Sequence, residues 1–249
     1  MRVRKVRSLA AWVRLIRNGL GTRSAMGLRR GHPGEIRFRG RPVSGPDPGR
    51  LAWMATHIWG GEYDLPGFVP GKGDRVADIG ANIGIFSLLA ADRGATVTAI
   101  EPHPANFTWL ERNTVGWAVD CRRAAVLGRV PPGGEVTLVE APGHTAHHVA
   151  GTHAGVPDEE TTAVPAVSFA ELVGEDYDLV KLDVEGAEFG IVADTPLEVL
   201  AKLRRLVAEV HHVAGDPELL RDRLSEAGLV VTLRDDGEDP DHSLLTARG

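Results

Sequence analysis

One cysteine, Cys121, stands in 249 residues. It excludes an internal disulfide and a zinc site built on several thiolates, and a reducing cytoplasm is the expected home. No apolar run approaches the ~18 residues of a membrane-spanning helix. The basic N-terminus has neither a continuous apolar signal core nor a small-residue cleavage site. Aromatic residues are sparse at 5%, and only Trp12 and Phe38 fall within the first 41 residues, which leaves little for stacking on bases. What the chain does have is apolar content, 43% of its residues, enough to bury a full core. The expected organisation is a basic, partly helical extension over 1–49 followed by one domain over 50–249.

Charge is unevenly distributed. Residues 1–41 hold twelve Lys/Arg and one acid, Glu35, so the remainder of the 28 basic and 34 acidic residues leaves a strongly acidic domain behind a basic arm. Such an arm can bind an anionic membrane surface, nucleic acid, or the protein's own acidic surface or a partner copy. Over 3–20, Val6, Leu9, Val13, Ile16 and Leu20 fall on one helical face, with Arg4, Arg7, Arg14 and Arg17 off it. That pattern favours packing on the domain or on a second subunit, with membrane contact next. The acidic domain disfavours nucleic acid, because a phosphate-tracking groove needs positive charge.

The most informative stretch is Val76-Ala-Asp-Ile-Gly-Ala-Asn-Ile-Gly84, followed by Ala99-Ile-Glu101. An apolar strand ends in an acid, a glycine loop follows, and an amphipathic helix begins at once. About twenty residues on, a second strand delivers another carboxylate, the layout of a nucleotide cradle with an acid for a ribose diol. Gly80 and Gly84 flank Asn82, which tolerates left-handed backbone angles. A dinucleotide would lay its pyrophosphate against this loop and helix N-terminus, where Asp78 would repel it. S-adenosylmethionine presents an ammonium and a sulfonium instead, and both welcome a carboxylate.

Strands and helices alternate along the rest of the chain, as a parallel sheet requires. A linker is expected at 42–48, a short helix at 51–59 and a strand ending at Asp78. Then come helix 84–93, strand 96–100, helix 104–115 and a third strand at about 121–127. Residues 178–183 and 205–210 read as strands four and five, helix 217–227 follows, and 229–234 with 243–247 form an antiparallel edge hairpin. The fold class is α/β, with a Rossmann-like, mostly parallel sheet of seven strands. An insertion at 128–162, rich in Gly, Pro and His, contributes one strand at 135–139.

Five segments carry a family resemblance: Gly61-Glu-Tyr-Asp-Leu-Pro66, Asp78-Ile-Gly-Ala-Asn-Ile-Gly84, Glu101-Pro-His-Pro-Ala-Asn106, Lys181-Leu-Asp-Val-Glu-Gly-Ala-Glu188 and Glu209-Val-His211. In this order, over roughly 55–212, the chain resembles the FkbM family of class I S-adenosylmethionine-dependent methyltransferases. The resemblance implies methyl transfer, most often to a hydroxyl of a secondary metabolite or glycan. It implies cofactor contacts from Tyr63, Asp78, Gly80, Ala81, Asn82, Gly84, Glu101 and Pro102. The basic arm and the His-rich insertion lie outside it.

Ligands of open α/β sheets bind outside the carboxyl ends of the strands. The acceptor is therefore expected against Asp183 and Glu185 after strand four and His211 at strand five, with His211 as general base. Lys181 reads as an ion-pair partner of a neighbouring acid, and Glu188 as a cap suited to a helix N-terminus. Trp53, His57 and Trp59 are expected over the acceptor, and Trp109 and Trp117 against the sheet. His144, His147, His148 and His153, with Asp158, Glu159 and Glu160, could lend metal ligands, as could Asp183 with His211. No strict zinc spacing is present, so a divalent metal is possible but not expected. An N-methyltransferase or a silent S-adenosylmethionine-binding module is the alternative; an NAD-dependent oxidoreductase is disfavoured by Asp78 and Asn82.

Overall fold

The computed structural model describes residues 9–30, 35–140, 148–149, 160–235 and 240–249. Its centre is a seven-stranded sheet. In chain order the strands are β3 (Arg75–Ile79), β4 (Thr96–Ile100), β5 (Val119–Arg122), β10 (Leu179–Leu182), β11 (Arg205–His211), β12 (Val230–Asp235) and β13 (His242–Arg248). They lie side by side as β12-β13-β11-β10-β3-β4-β5. All neighbours are parallel except β13, which pairs antiparallel with both β11 and β12. The seven strands and the edge hairpin match the reading from sequence. The chain starts at β3 and builds outward both ways, so the switch point falls between β3 and β10, where such sheets bind ligands.

Helices cover both faces. On one, α4 (Ile85–Asp92) and α5 (Pro104–Thr114) follow their strands closely. On the other lie α6 (Phe169–Val173), α7 (Glu188–Asp194), α8 (Leu197–Leu200) and α9 (Pro217–Glu226). Pro104 and Pro217 open α5 and α9, where a missing N–H costs nothing, and His103 and Asp216 cap the next backbone donors. The centres of β3, β4 and β10 are buried throughout, as expected of strands covered on both sides.

The third expected strand divides. Residues Val119–Arg122 stay in the main sheet, whereas β6 (Ala125–Leu127) leaves it for a second sheet of order β6-β9-β7-β8. The expected strand of the insertion is β7 (Glu135–Glu140). It is joined by β8 (His148–Val149) and β9 (Glu160–Ser168), which pattern reading passes over. The reason is Pro165, a residue that argues against an inner strand. Up to Pro165, β9 pairs antiparallel with β7, and from Ala166 it pairs parallel with β6. Proline stands where the strand changes partner and its missing donor matters least.

The N-terminal segment folds onto the domain. It comprises α1 (Leu9–Arg17), α2 (Thr22–Arg30) and a hairpin of β1 (Ile36–Phe38) and β2 (Arg41–Val43). Part of the expected linker is therefore strand. The first expected helix begins outside the described residues, and its face is rotated from the pattern: Leu15 is buried while Val13 is half exposed. Leu15, Leu20, Leu28, Ile36 and Phe38 share one core with Trp59 of the segment after α3 (Pro48–Ile58) and with Ile85 and Leu88 of α4. Asn18 donates to the Trp59 carbonyl at 2.8 Å, and Arg39 forks onto Asp92 at 2.8 and 2.6 Å. Arg39 is thus the described arm residue whose charge is paired with an acid of the domain, while Arg14 and Arg41 reach backbone carbonyls of the domain. Among the described residues no helix is long and apolar enough to cross a membrane.

Trp59 corrects an expectation. It does not cover a ligand site; it is fully buried, with its ring 4.6 Å from Phe38 and its Nε1 donating to the Ile85 carbonyl at 3.0 Å. Trp59→Ala should lower the unfolding free energy by about 3–5 kcal/mol. Urea denaturation checks this, with an unchanged midpoint as the contrary result.

Candidate active site

The loop after β3 takes the shape its residues permit. Gly80, Asn82 and Gly84 all have positive φ, at 76°, 51° and 91°. Gly80 and Ala81 both donate to the Ile100 carbonyl, at 2.9 and 3.0 Å, which locks the loop across the end of β4. A Cβ on Gly80 would stand 1.7 Å from the backbone oxygen of Asp183, so the turn and the end of β10 touch backbone to backbone. Gly84 serves packing instead: a Cβ there would strike Leu110 of α5. Gly80→Ala should therefore destabilise the fold by at least about 2 kcal/mol through steric conflict and an unfavourable φ, read from the urea midpoint; unchanged stability would contradict the close approach.

Glu101 follows β4 and is almost wholly buried. Its two oxygens accept the N–H groups of Asn82 at 2.9 Å and His103 at 3.0 Å. Burial raises its pKa to about 7, against the lowering effect of those hydrogen bonds. It lines a narrow slot with Gly80, Asn82 and Pro102, whose apolar wall comes from Ile100, Val126 and Leu138. The expected cofactor residues Gly80, Asn82, Glu101 and Pro102 thus meet in one place.

Asp78 does not join them. It is fully buried behind the loop, accepts from Ser87 at 2.5 Å, and lies 3.3 Å from the Lys181 ammonium. Lys181 also donates to the Gly80 carbonyl at 2.9 Å and pairs with Asp183 at 3.1 Å. Burial would lower the pKa of this lysine, but the two aspartates outweigh it and hold the ammonium charged. Asp78, expected to face a ligand's charge, anchors the lysine instead, and Asp183 is the acid of this set that reaches the opening, with 26% of its side chain exposed.

Beyond the loop opens a chamber of about 290 Å³, which shares Arg50, Gly80, Asn82, Asp183 and Glu185 with the slot. Tyr63, Ala81, Trp53 and His211 line it too. Tyr63 is buried edge-on to Phe86 and donates to Glu209 at 3.2 Å. His57 instead turns its Nδ1 to the Trp53 carbonyl at 2.8 Å. Trp109 and Trp117 are half-buried and pack with the N-terminal core.

The carboxyl end of β10 supplies the polar wall. Glu185 sits at φ 52° and Gly186 at 96°, a left-handed pair that is uncommon for a non-glycine residue and common at functional sites. It brings Glu185 to 3.3 Å from Nε2 of His211. Nδ1 of the same ring is 3.0 Å from Glu188, which is fully buried and also accepts the Val184 N–H at 2.9 Å. Burial would lower the pKa of His211, but the hydrogen bonds to Glu185 and Glu188 raise it to about 12. The two carboxylates thus favour the charged ring, in which both nitrogens donate. Glu188 does more than cap a helix, since it orients that ring.

Sequence reading missed Glu209 and His242 as site residues. Glu209 sits two places before His211, and that spacing alone was a usable signal. His242 is brought in only by pairing across the sheet, where it stands opposite His211. Among the described residues two clusters have metal-ligating geometry, Glu209–His211–His242 and Asp183–Glu185–His211. Of the expected histidine-rich set, His144, His147, His153, Asp158 and Glu159 lie outside the described residues, while the His148 backbone belongs to β8 and Glu160 begins β9.

Known proteins are similar to this chain. A 31-O-demethyl-FK506 methyltransferase, FkbM of Streptomyces tacrolimicus, is 32% identical over 175 residues, covering 57% of this chain and 67% of that one. The AMB antimetabolite synthetase AmbE of Pseudomonas aeruginosa is 26% identical over 243 residues, 79% of this chain but 11% of that protein. The solved methyltransferase FkbM of Methylobacillus flagellatus superposes with a TM-score of 0.47 at 12% identity, over 97% of this chain and 59% of that one. Residues 78–231, more than half of the chain, match the methyltransferase FkbM domain, and the protein belongs to that family of methyltransferases.

Proposed function

We propose that this chain transfers a methyl group from S-adenosylmethionine to a hydroxyl of a small molecule or glycan. The observation that carries the reading is the junction of slot and chamber: Gly80, Asn82, Asp183 and Glu185 wall both. A cofactor in the slot and an acceptor in the chamber would meet there. When bound, S-adenosylmethionine supplies a methyl group already activated by its sulfonium.

The residues fit that cofactor. Glu101 sits where a carboxylate can accept a ribose diol, and the apolar wall of Ile100, Val126 and Leu138 suits a flat base. Asp183 faces the junction with a quarter of its side chain exposed, which places a negative charge where a cationic sulfur belongs.

The chain's own groups then have to hold a hydroxyl in line and take its proton. Orientation alone supplies much of the rate. Both nitrogens of His211 already face carboxylates, so the imidazolium anchors Glu185 and leaves Asp183 and Glu185 to accept the proton. Arg50, Asp183 and Glu185 line the passage between slot and chamber and bound it with charge. A relative named for a 31-O-demethyl substrate supports oxygen as the acceptor atom.

Isotope-labelled S-adenosylmethionine, incubated with hydroxylated metabolites and glycosides, should give labelled methyl ethers; an N-methylated product, or tight cofactor binding with no transfer to any acceptor, would overturn the reading. In the same assay Asp183→Asn and Glu185→Gln should each reduce turnover by about 10²–10⁴-fold, and wild-type rates in both would remove them from the chemistry.

Cofactor affinity tests Glu101. Its carboxylate is protonated below about pH 7 in the free protein, and diol hydroxyls donate best to the ionised form. Affinity measured by calorimetry should therefore fall as pH drops below 7, approaching tenfold per unit by linkage. Glu101→Gln should weaken binding roughly 10-fold or more and flatten that profile. A pH-independent affinity in the wild type would refute the diol contact.

A further inference from the structure

The chamber holds a second grouping of donors, of which methyl transfer as described uses only His211, as the anchor of Glu185. Glu209 and His211 lie two residues apart on β11 and share a face. The antiparallel pairing of β11 with β13 sets His242 opposite His211, and the two rings meet edge to face with centroids 4.6 Å apart. Glu209 Oε1 is 3.7 Å from Nδ1 of His242, and one donor atom from each residue lies within 4.8 Å of the other two. Donors on a tetrahedral cation, with bonds of ~2.1 Å, stand about 3.4 Å apart, so small side-chain adjustments close the site.

Two of these donors are held from behind. Glu188 Oε1 engages Nδ1 of His211 and leaves Nε2 as the nitrogen for a ligand bond. Tyr63 donates to Oε2 of Glu209, leaving Oε1 toward His242. Outer partners of this kind fix the tautomer and direction of metal-binding side chains. Glu188 is fully buried, and its Oε2 has no hydrogen-bond partner; a carboxylate this deep makes sense as the counter-charge to a cationic centre. Glu185 lies beside the same Nε2 at 3.3 Å, where a further ligand would sit.

We propose that Glu209, His211 and His242 form a site for one divalent first-row transition cation. Two imidazoles and a carboxylate favour zinc, cobalt or manganese over magnesium and calcium, which prefer all-oxygen sites. The cation takes the place of the Nε2 proton of His211. It would lower the pKa of an acceptor hydroxyl as a Lewis acid, so that the weakly basic Asp183 and Glu185 suffice to remove the proton. That use rests on the methyl-transfer reading; the binding itself does not.

Calorimetry of the full chain, freed of metal by a chelator, with Zn²⁺, Co²⁺ or Mn²⁺ alone is the test. We expect one saturable equivalent, with zinc tighter than cobalt and cobalt tighter than manganese. His242→Ala and Glu209→Gln, on different strands, should each weaken binding at least 100-fold, and Glu188→Gln roughly 10–100-fold. Thermal unfolding of each variant reports on folding, so one unfolded variant leaves the others to decide. No saturable binding, or binding that His242→Ala and Glu209→Gln leave intact, overturns the site; the latter would put the ions on other histidines. Methyl transfer measured on the same preparations separates the two readings. Transfer that survives in protein unable to bind any of the three ions refutes the cation alone, and cation binding without transfer to any acceptor refutes the methyl-transfer reading alone.

Discussion

Lys181 places one ammonium, almost wholly out of water, among the Asp78 carboxylate, the Asp183 carboxylate and the Gly80 carbonyl. These groups come from β3, the loop after it and the end of β10, which are the three pieces that form the floor of the site. Burying a charge is costly unless its partners are close, and removing one member of such a set costs about 3–5 kcal/mol because the others are left uncompensated. The side wall of the chamber repeats the principle. His211 is fixed between Glu185 and Glu188, so both walls are charged groups clamped by opposite charges, not side chains reaching freely into solvent. An arrangement of this kind is preorganised: its dipoles are already aimed before any ligand arrives.

The polarity pattern along β10 follows from the same constraint. Lys181 and Asp183 alternate with Leu182 and share a face of the sheet, and the short distance between them is why the lysine's charge survives burial. A serine inside the apolar helix α4 makes sense only in this setting. Ser87 is fully buried and donates to Oδ2 of Asp78, while Oδ1 faces the Lys181 ammonium at 3.3 Å. The helix that begins at the glycine loop therefore also holds the acid that precedes that loop.

Much of this was legible from the chain. The alternation of strands and helices around D-I-G-A-N-I-G, the two-strand edge and the carboxylate at 101 follow from local periodicity and spacing, which depend on neighbours in sequence. Three things were not legible, and each depends on partners distant in sequence. The direction of Asp78 depends on Lys181, more than a hundred residues away, a partner that charge logic applied to the loop alone does not see. The protonation of His211 depends on Glu188, whose local context reads as a helix cap. Strand β9 was hidden by Pro165, because pattern reading assumes that a strand keeps the same neighbours throughout. Val13 and Leu15 exchanged roles for a similar reason: the apolar face of α1 was set by Trp59 and Phe38, not by its own best stripe.

The change of partner at Pro165 has a structural consequence. Leu138 and Val149, which wall the slot opposite the glycine loop, belong to the small sheet. That sheet reaches the main one through β6, which continues the chain of β5, and through β9, which runs on into α6. Val126, Leu138 and Val149 of the slot are thus carried on the second sheet, while Gly80 and Glu101 follow strands of the main one. In such a fold one wall of the slot can be reshaped by substitutions in the second sheet while the wall at Gly80 and Glu101 stays in place.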